Sequence, residues 1–253
     1  MRDDPARRDP DARVTGRQIE GHPCYTNPPA SLARNDFWQQ VKRTIGGEPV
    51  DDRQVDLIVA AIRHALSLDS SERLLDLACG NGALTSRLYP SCAASVGVDS
   101  SEYLISVANQ FFAKKEVRSF VLDDVAHFVS DVEAPERFDK VLCYGSFPYL
   151  SDQDAFEVLL GLNTRFPQVS TVFLGNLPDL ALKHLFYYKG QVPSNEELAD
   201  PMTSIGIWRS EHEIVELAGI AGWRATVTRM PAAFYASHYR FDATLTRMSN
   251  RSA

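Results

Sequence analysis

The chain has 253 residues, 44% of them hydrophobic, and a formal net charge of −7. That is ample for one large α/β domain around a buried core. The charge disfavours extended contact with nucleic acid, which calls for a basic stripe, and no apolar run approaches the roughly 18 residues of a membrane-spanning helix.

The start of the chain is charged rather than signal-like, and Cys24, Cys79, Cys92 and Cys143 show no metal-ligand spacing. We therefore expect reduced thiols, a cytoplasmic location and no metal site. Residues 1–20, rich in Arg, Asp and Pro, bury too little to repay ordering and read as a disordered tail. Residues 21–50 mix aromatic and turn residues, and from Asp36 a short helix can start with that acid as its cap. This stretch reads as a segment packed outside a sheet. Asp51 and Asp52 sit where helix caps sit, and Val55, Ile58, Val59, Ile62 and Leu66 follow at helical spacing. His64, on that helix, reads as structural.

Leu74 to Thr85 is the stretch around which the rest is organised. An apolar run ends in Asp76, passes Ala78-Cys79-Gly80-Asn81-Gly82, and enters a helix-compatible segment that Pro90 terminates. Glycine lets backbone come close to a ligand, so a Cβ at Gly80 should obstruct it, and the amides opening the next helix face the same point. The three-glycine dinucleotide fingerprint would need another glycine where Thr85 stands, which disfavours a nicotinamide enzyme. Residues 94–99 form a second strand ending in Asp99, one βαβ unit after Asp76. A carboxylate there suits the two hydroxyls of a ribose, although a helix cap is the alternative and Ser100 or Ser101 could serve that end instead. Tyr103, in the first turn of the following helix, would lie by the nucleoside.

Residues 119–125 read as a third strand running into an acidic turn at Asp123 and Asp124, followed by His127 and Phe128. Residues 138–144 read as a fourth strand, continuing into Gly145, Ser146, Phe147, Pro148 and Tyr149. Ser151 with Asp154 resembles a capping box for a helix that Pro167 ends. A fifth strand is expected at 169–175, a short helix at 180–188, and a polar cover loop at 190–207. Ser210 with Glu213 starts another helix, and strands at 223–230 and 239–246 are close enough to be antiparallel.

Asp76-Leu77-Ala78-Cys79-Gly80-Asn81-Gly82 resembles motif I of the class I S-adenosylmethionine-dependent methyltransferases, with Ala78 where many members have a first glycine. The resemblance runs over residues 50–247. It implies a three-layer α/β sandwich whose mostly parallel seven-stranded sheet, order 3-2-1-4-5-7-6, is closed by an antiparallel C-terminal hairpin. Residues 51–248 would be the methyltransferase domain, with 177–207 an inserted substrate cover. A lid over the cofactor at residues 21–50 is implied equally with their packing outside the sheet. The cofactor implied is S-adenosylmethionine, leaving as S-adenosylhomocysteine. The loop Ala78 to Gly82 after Asp76 would wrap its methionine end and Asp99 with Ser100 its ribose. Asp124 or, second, Asp123 would meet the adenine amine, with the backbone N–H of Val125 on the ring, and Tyr144 and Gly145 would lie where the methyl meets its acceptor. This chain lacks the Asn/Asp-Pro-Pro-aromatic run of amino methyltransferases at Gly145 to Leu150.

Connections leaving strands four, five and six meet on one edge and bring Tyr144, Phe147, Tyr149, Phe186, Tyr187, Tyr188, Trp208, Phe234 and Tyr235 together. An aromatic concavity suits a small organic acceptor, with Ser146, Tyr149, Tyr187, Trp208 and Tyr235 as candidate contacts. For a hydroxyl acceptor His212, His238 and His184 are candidate bases. The reading is a methyltransferase acting on O, N or C of a small metabolite, natural product or sugar. The alternatives are an RNA or protein methyltransferase, which needs a basic groove at the pocket mouth, and a non-catalytic cofactor-binding scaffold, which predicts a filled pocket.

Overall fold

The computed structural model describes residues 32–187 and 191–248. The expected tail at 1–20, the start of the lid segment, Cys24 and Tyr188 lie outside them. Seven strands form one sheet: β1 Arg73–Leu77, β2 Ala94–Asp99, β3 Arg118–Leu122, β4 Lys140–Tyr144, β5 Thr171–Pro178, β6 Trp223–Thr228 and β7 Arg240–Arg247. In this numbering the spatial order is 3-2-1-4-5-7-6, with β1 to β5 parallel and β7 antiparallel to both β5 and β6. This is the expected fold.

The sheet is covered on both faces, so its central strands read as continuous apolar runs while still sorting their side chains by the period of two. Leu75, Val141, Cys143, Val172 and Leu174 join one core with helices α4 (Val125–Asp131), α5 (Asp152–Arg165) and α6 (Glu211–Ile220). Leu74, Leu142, Tyr144 and Phe173 join the other with α1 (Asp52–Leu66). Helix α1 starts as expected, the Asp51 side chain accepting from the Gln54 N–H at 2.9 Å, and buries Val55, Ile58, Ile62 and Leu66. Ser210 and Glu213 form a full capping box on α6, whereas Ser151 caps α5 through the Asp154 N–H without the reciprocal bond. The single helical turn Phe37–Gln40 has no side-chain cap. Asp36 accepts instead from the Ala33 N–H at 3.2 Å.

Two further expectations are modified. The helix after the glycine corner, α2 (Ala83–Arg87), stops early, and Pro90 sits in a separate 3-10 turn Tyr89–Ser91. Within the expected polar loop, residues 191–207 contain a capped turn Asn195–Leu198, and Leu198 and Trp208 are buried in the core with the α1 face. The segment is largely exposed but pinned at Leu198 and Ile207, by the Trp208 N–H on the Leu198 carbonyl at 2.8 Å and the Ile207 N–H on the Pro148 carbonyl at 2.8 Å.

The last strand also closes the helix layer. From β7 the Arg247 guanidinium donates to the carbonyls of Leu162, Asn163, Phe166 and Val169. It thereby satisfies acceptors that the C-terminus of α5 leaves open and complements the helix dipole. Arg247→Met keeps the length of the side chain and removes the donors. It should lower stability by about 2–3 kcal/mol, the range for orphaned acceptors bound to a charged donor, as read by urea unfolding.

Candidate functional site

The carboxyl ends of β1, β2 and β4 and the turn after β3 open onto a cavity of about 480 Å³. Its floor is the glycine corner. Ala78, Gly80 and Gly82 all have positive φ, at 55°, 60° and 75°. The corner is tied to β2 by the Cys79 N–H on the Val98 carbonyl at 3.0 Å and the Gly80 N–H on Asp99 Oδ2 at 2.8 Å. The other oxygen of Asp99 accepts from the Ser101 N–H at 2.9 Å. Each carboxylate oxygen has two acceptor sites, so Asp99 keeps one on each oxygen for the vicinal hydroxyls expected of it. The side chain of Ser101, not Ser100, caps helix α3 (Glu102–Phe111).

Of the expected cofactor contacts, Asp76, Ala78, Cys79, Gly80, Asn81, Asp99, Ser100, Asp124, Val125, Tyr144 and Gly145 line the cavity. Gly82 does not; a Cβ there would meet the Phe120 ring at 2.7 Å, so its glycine serves close packing. Tyr103 lies off the cavity with the Arg34 guanidinium 5.4 Å from its ring. Asp123 also lies off it, accepting from the Asp124 N–H and paired with His127, while Asp124 caps α4 through the N–H groups of Ala126 and His127. The expectation that a Cβ on Gly80 would obstruct a ligand is corrected. It would point at Val41 Cγ1, 2.9 Å away, and so displace the segment above the corner.

On the acceptor side Ser146, Tyr149 and Tyr235 line the cavity, joined by Phe186. Tyr187 and Trp208 do not. Their rings pack on each other at 5.5 Å, with Trp208 buried. Phe147 and Phe234 are likewise core. His184, His212 and His238 are exposed and none lines the cavity. The geometry therefore places no expected histidine at the reacting centre.

The structure adds residues that the sequence reading did not single out. Trp38, Val41, Lys42, Arg43 and Thr44 form one wall, and Asn176, Tyr239 and Arg240 another. The first group comes from a segment locked onto the glycine corner by Asn81. Its side-chain amide donates to the Phe37 carbonyl at 2.7 Å and to Gln40 Oε1 at 2.8 Å. The aromatic content of 21–50 hinted at such a wall, but nothing local marked Arg43. Asn176 sits on a β-bulge, where the register of β5 against β7 shifts between Leu174 and Leu177, and at a φ of 64° it turns its side chain off the strand. Gly175 before it has no room for a side chain, because a Cβ would lie 2.2 Å from the Tyr144 ring.

Burial dominates the electrostatics. It pushes the Asp76 carboxyl up to about 7, against the opposing pull of a 2.5 Å bond from Thr85 Oγ1 and of Arg43. It also raises Asp99 despite its two N–H bonds, raises Asp242 to about 6, and drives the Cys79 thiol and the Tyr144 hydroxyl upward. Cys79 is thus a neutral thiol in the loop rather than a nucleophile.

Residues 68–183 match the family model described as a methyltransferase domain. The chain is 30% identical over 89 residues to an uncharacterised methyltransferase of Schizosaccharomyces pombe, a match covering 33% of this chain and 31% of that protein. It is 27% identical over 148 residues to a ubiquinone biosynthesis O-methyltransferase of Rhodopseudomonas palustris, covering 54% and 57% respectively. The matches thus span about a third to somewhat over half the length of these curated relatives. Among solved structures, magnesium protoporphyrin IX methyltransferase from Synechocystis, crystallised with S-adenosylhomocysteine, superposes with a TM-score of 0.57 at 20% identity. That superposition covers 84% of this chain and 94% of that one.

Asp76 provides a test that needs no ligand. Its pKa in the fold, about 7, lies above the ordinary 3.8, so its contribution to stability is complete below about pH 4 and is lost as pH rises through 7. Asp76→Asn should therefore make the ligand-free protein more stable at pH 8, by a few kcal/mol at about 1.4 per pKa unit, with the gain vanishing toward pH 4. Denaturant unfolding at the two pH values measures it.

Proposed function

From the premise that the chain carries a methyltransferase domain of the class I S-adenosylmethionine-dependent kind, we propose that it transfers a methyl group from S-adenosylmethionine to a small-molecule acceptor. The observation that carries this reading is the division of the cavity. Its β1 to β3 side offers Asp76, the amides of the glycine corner, Asp99 and Asp124, and its β4, β5 and β7 side offers aromatic rings, Asn176 and Arg240. The first side fits the cofactor by chemistry, since a carboxylate with two unused acceptor sites suits a ribose and a buried acid suits an ammonium. S-adenosylmethionine, when bound, supplies a methyl on a sulfonium open to in-line displacement. The chain's own part is then alignment and exclusion of water. Segment 32–50 acts as the lid, placing Trp38 to Thr44 over the corner, and 177–207 as a cover that contributes Phe186, Met202, Ser204 and Ile205 to the wall. The acceptor lies against Ser146, Tyr149 and Tyr235. With no histidine on the wall among the described residues, an amine, or a hydroxyl already acidic enough to ionise, suits the site better than a simple alcohol.

A concave pocket of this size suits a metabolite-sized acceptor rather than a macromolecular one, and that side chains do not fill it supports turnover rather than a scaffold role. Calorimetric titration with S-adenosylhomocysteine, with NADH as the control ligand, should show micromolar binding of the former alone. Asp99→Ala should weaken that binding by about 1–3 kcal/mol, the cost of losing charged hydrogen bonds. Unchanged affinity would remove Asp99 from the ribose site, and binding of NADH alone would sink the cofactor assignment.

A further inference from the structure

The cavity holds two guanidinium groups, Arg43 from the lid segment and Arg240 from β7. Neither forms an ion pair among the described residues. Nη1 of Arg43 is buried without a hydrogen-bond partner, as are the Tyr144 hydroxyl and Asn176 Oδ1, all three on residues that line the cavity. The Arg43 guanidinium stands 5.3 Å from the Tyr144 ring and 5.4 Å from the Trp38 ring, so its face is covered while its N–H edge is left unanswered. Arg240, 5.0 Å from the Tyr239 ring, gives Nη1 to the Asn176 carbonyl and keeps the rest of its fork. Both charges act on Tyr144 and on Tyr235, which sets them around one space.

Both arginines are half-buried, an inner N–H of Arg43 lacks an acceptor, and a cavity that gathers two guanidiniums outside any ion pair in a chain of net charge −7 suits an anion. An opposing acid on that side, Asp242, feels the Arg240 charge without forming an ion pair with it; it is buried and accepts from the Asn176 N–H at 2.7 Å. Asp76, the other carboxylate felt by Arg43, belongs to the cofactor side and is bonded to Thr85. Resting on the methyltransferase reading above, we propose that the acceptor carries an oxyanion, a carboxylate or phosphate, held between Arg43 and Arg240 while its nucleophile faces the end of β4. Planar guanidinium forks favour that geometry over a lone lysine. The anion sets orientation, and the aromatic rings around it hold the body of the acceptor.

The test uses the full chain saturated with S-adenosylhomocysteine, so that the carboxylate of the cofactor product is already in place. It is titrated with aromatic and aliphatic carboxylic acids and phosphate monoesters, each paired with its neutral amide or alcohol. We expect charged members to bind and their neutral partners not to, with the acid and phosphate arms separating the two oxyanions. Arg240→Gln should lose about tenfold or more of that affinity, the equivalent of one charged hydrogen bond, while S-adenosylhomocysteine binding stays unchanged as the check on folding. Arg240→Lys should recover part of it. Neutral partners binding as well as the acids, or no charged member binding, would overturn the proposal while leaving the cofactor reading intact. Failure of S-adenosylhomocysteine itself to bind would instead overturn the reading beneath it. For Arg43→Gln the comparison is with 5′-methylthioadenosine, which lacks the amino-acid carboxylate. If the variant weakens S-adenosylhomocysteine but not methylthioadenosine, Arg43 serves the cofactor and the two-arginine subsite is refuted.

Discussion

One carboxylate ties the site together. Asp99 ends β2 with an oxygen on the Gly80 N–H and an oxygen on the Ser101 N–H, so the glycine corner after β1 and the start of the helix after β2 share a single anchor. A loop with positive φ at three alternate positions, Ala78, Gly80 and Gly82, has little intrinsic preference for one shape. The bond from Gly80 selects that shape, and burial of Asp99 strengthens it by removing water as competitor. The same burial disfavours the charge, which is why the carboxyl is raised even with two donors attached. A site held in this way is preorganised for a ligand that brings further donors to the same oxygens.

The second constraint is long-range. Asn81, inside the corner, holds the lid segment through Phe37 and Gln40, more than forty residues earlier in the chain. Val41 then lies against Gly80. The corner therefore does two jobs that look like one in sequence. Its backbone faces the cavity while its side-chain side receives the lid, and the absent Cβ of Gly80 makes room for protein rather than for ligand. Arg34 adds a contact on α3 through Gln110 and Ser106, so segment 32–50 is fastened both at the glycine corner and on the helix after β2.

The parts of this arrangement that were readable beforehand are those fixed by local pattern. Strand ends at Asp76 and Asp99, the caps Asp51, Ser151 and Ser210, and the closing antiparallel pair all follow from short-range periodicity and capping chemistry. Seven strands in the order 3-2-1-4-5-7-6 matched because the resemblance supplied the topology that local pattern cannot. What local pattern misjudged depends on contacts made elsewhere. Trp208 looks like a pocket aromatic just past a polar loop, yet it and Leu198 of that loop fold into the core. The three histidines sit on the right segments but on their solvent sides. Arg43 and Asn176 carry no motif at all. One depends on where the lid docks and the other on a bulge that only strand pairing reveals.

That bulge decides what the acceptor side can be. Without the register shift between Leu174 and Leu177, β5 would continue its alternation and Asn176 would take its turn on a sheet face. With it, the Asn176 carbonyl accepts from Arg240 and its N–H donates to Asp242, so one residue holds both a cation and an acid of β7. Gly175 meanwhile leaves room for the Tyr144 ring, on which the lid's Arg43 rests. Lid, β4, β5 and β7 thus meet at a single aromatic ring. Acids line the β1 to β3 half of the cavity and Arg240 the other, with Arg43 above Tyr144 and within electrostatic reach of Asp76, so the charge of the cavity changes sign across that ring.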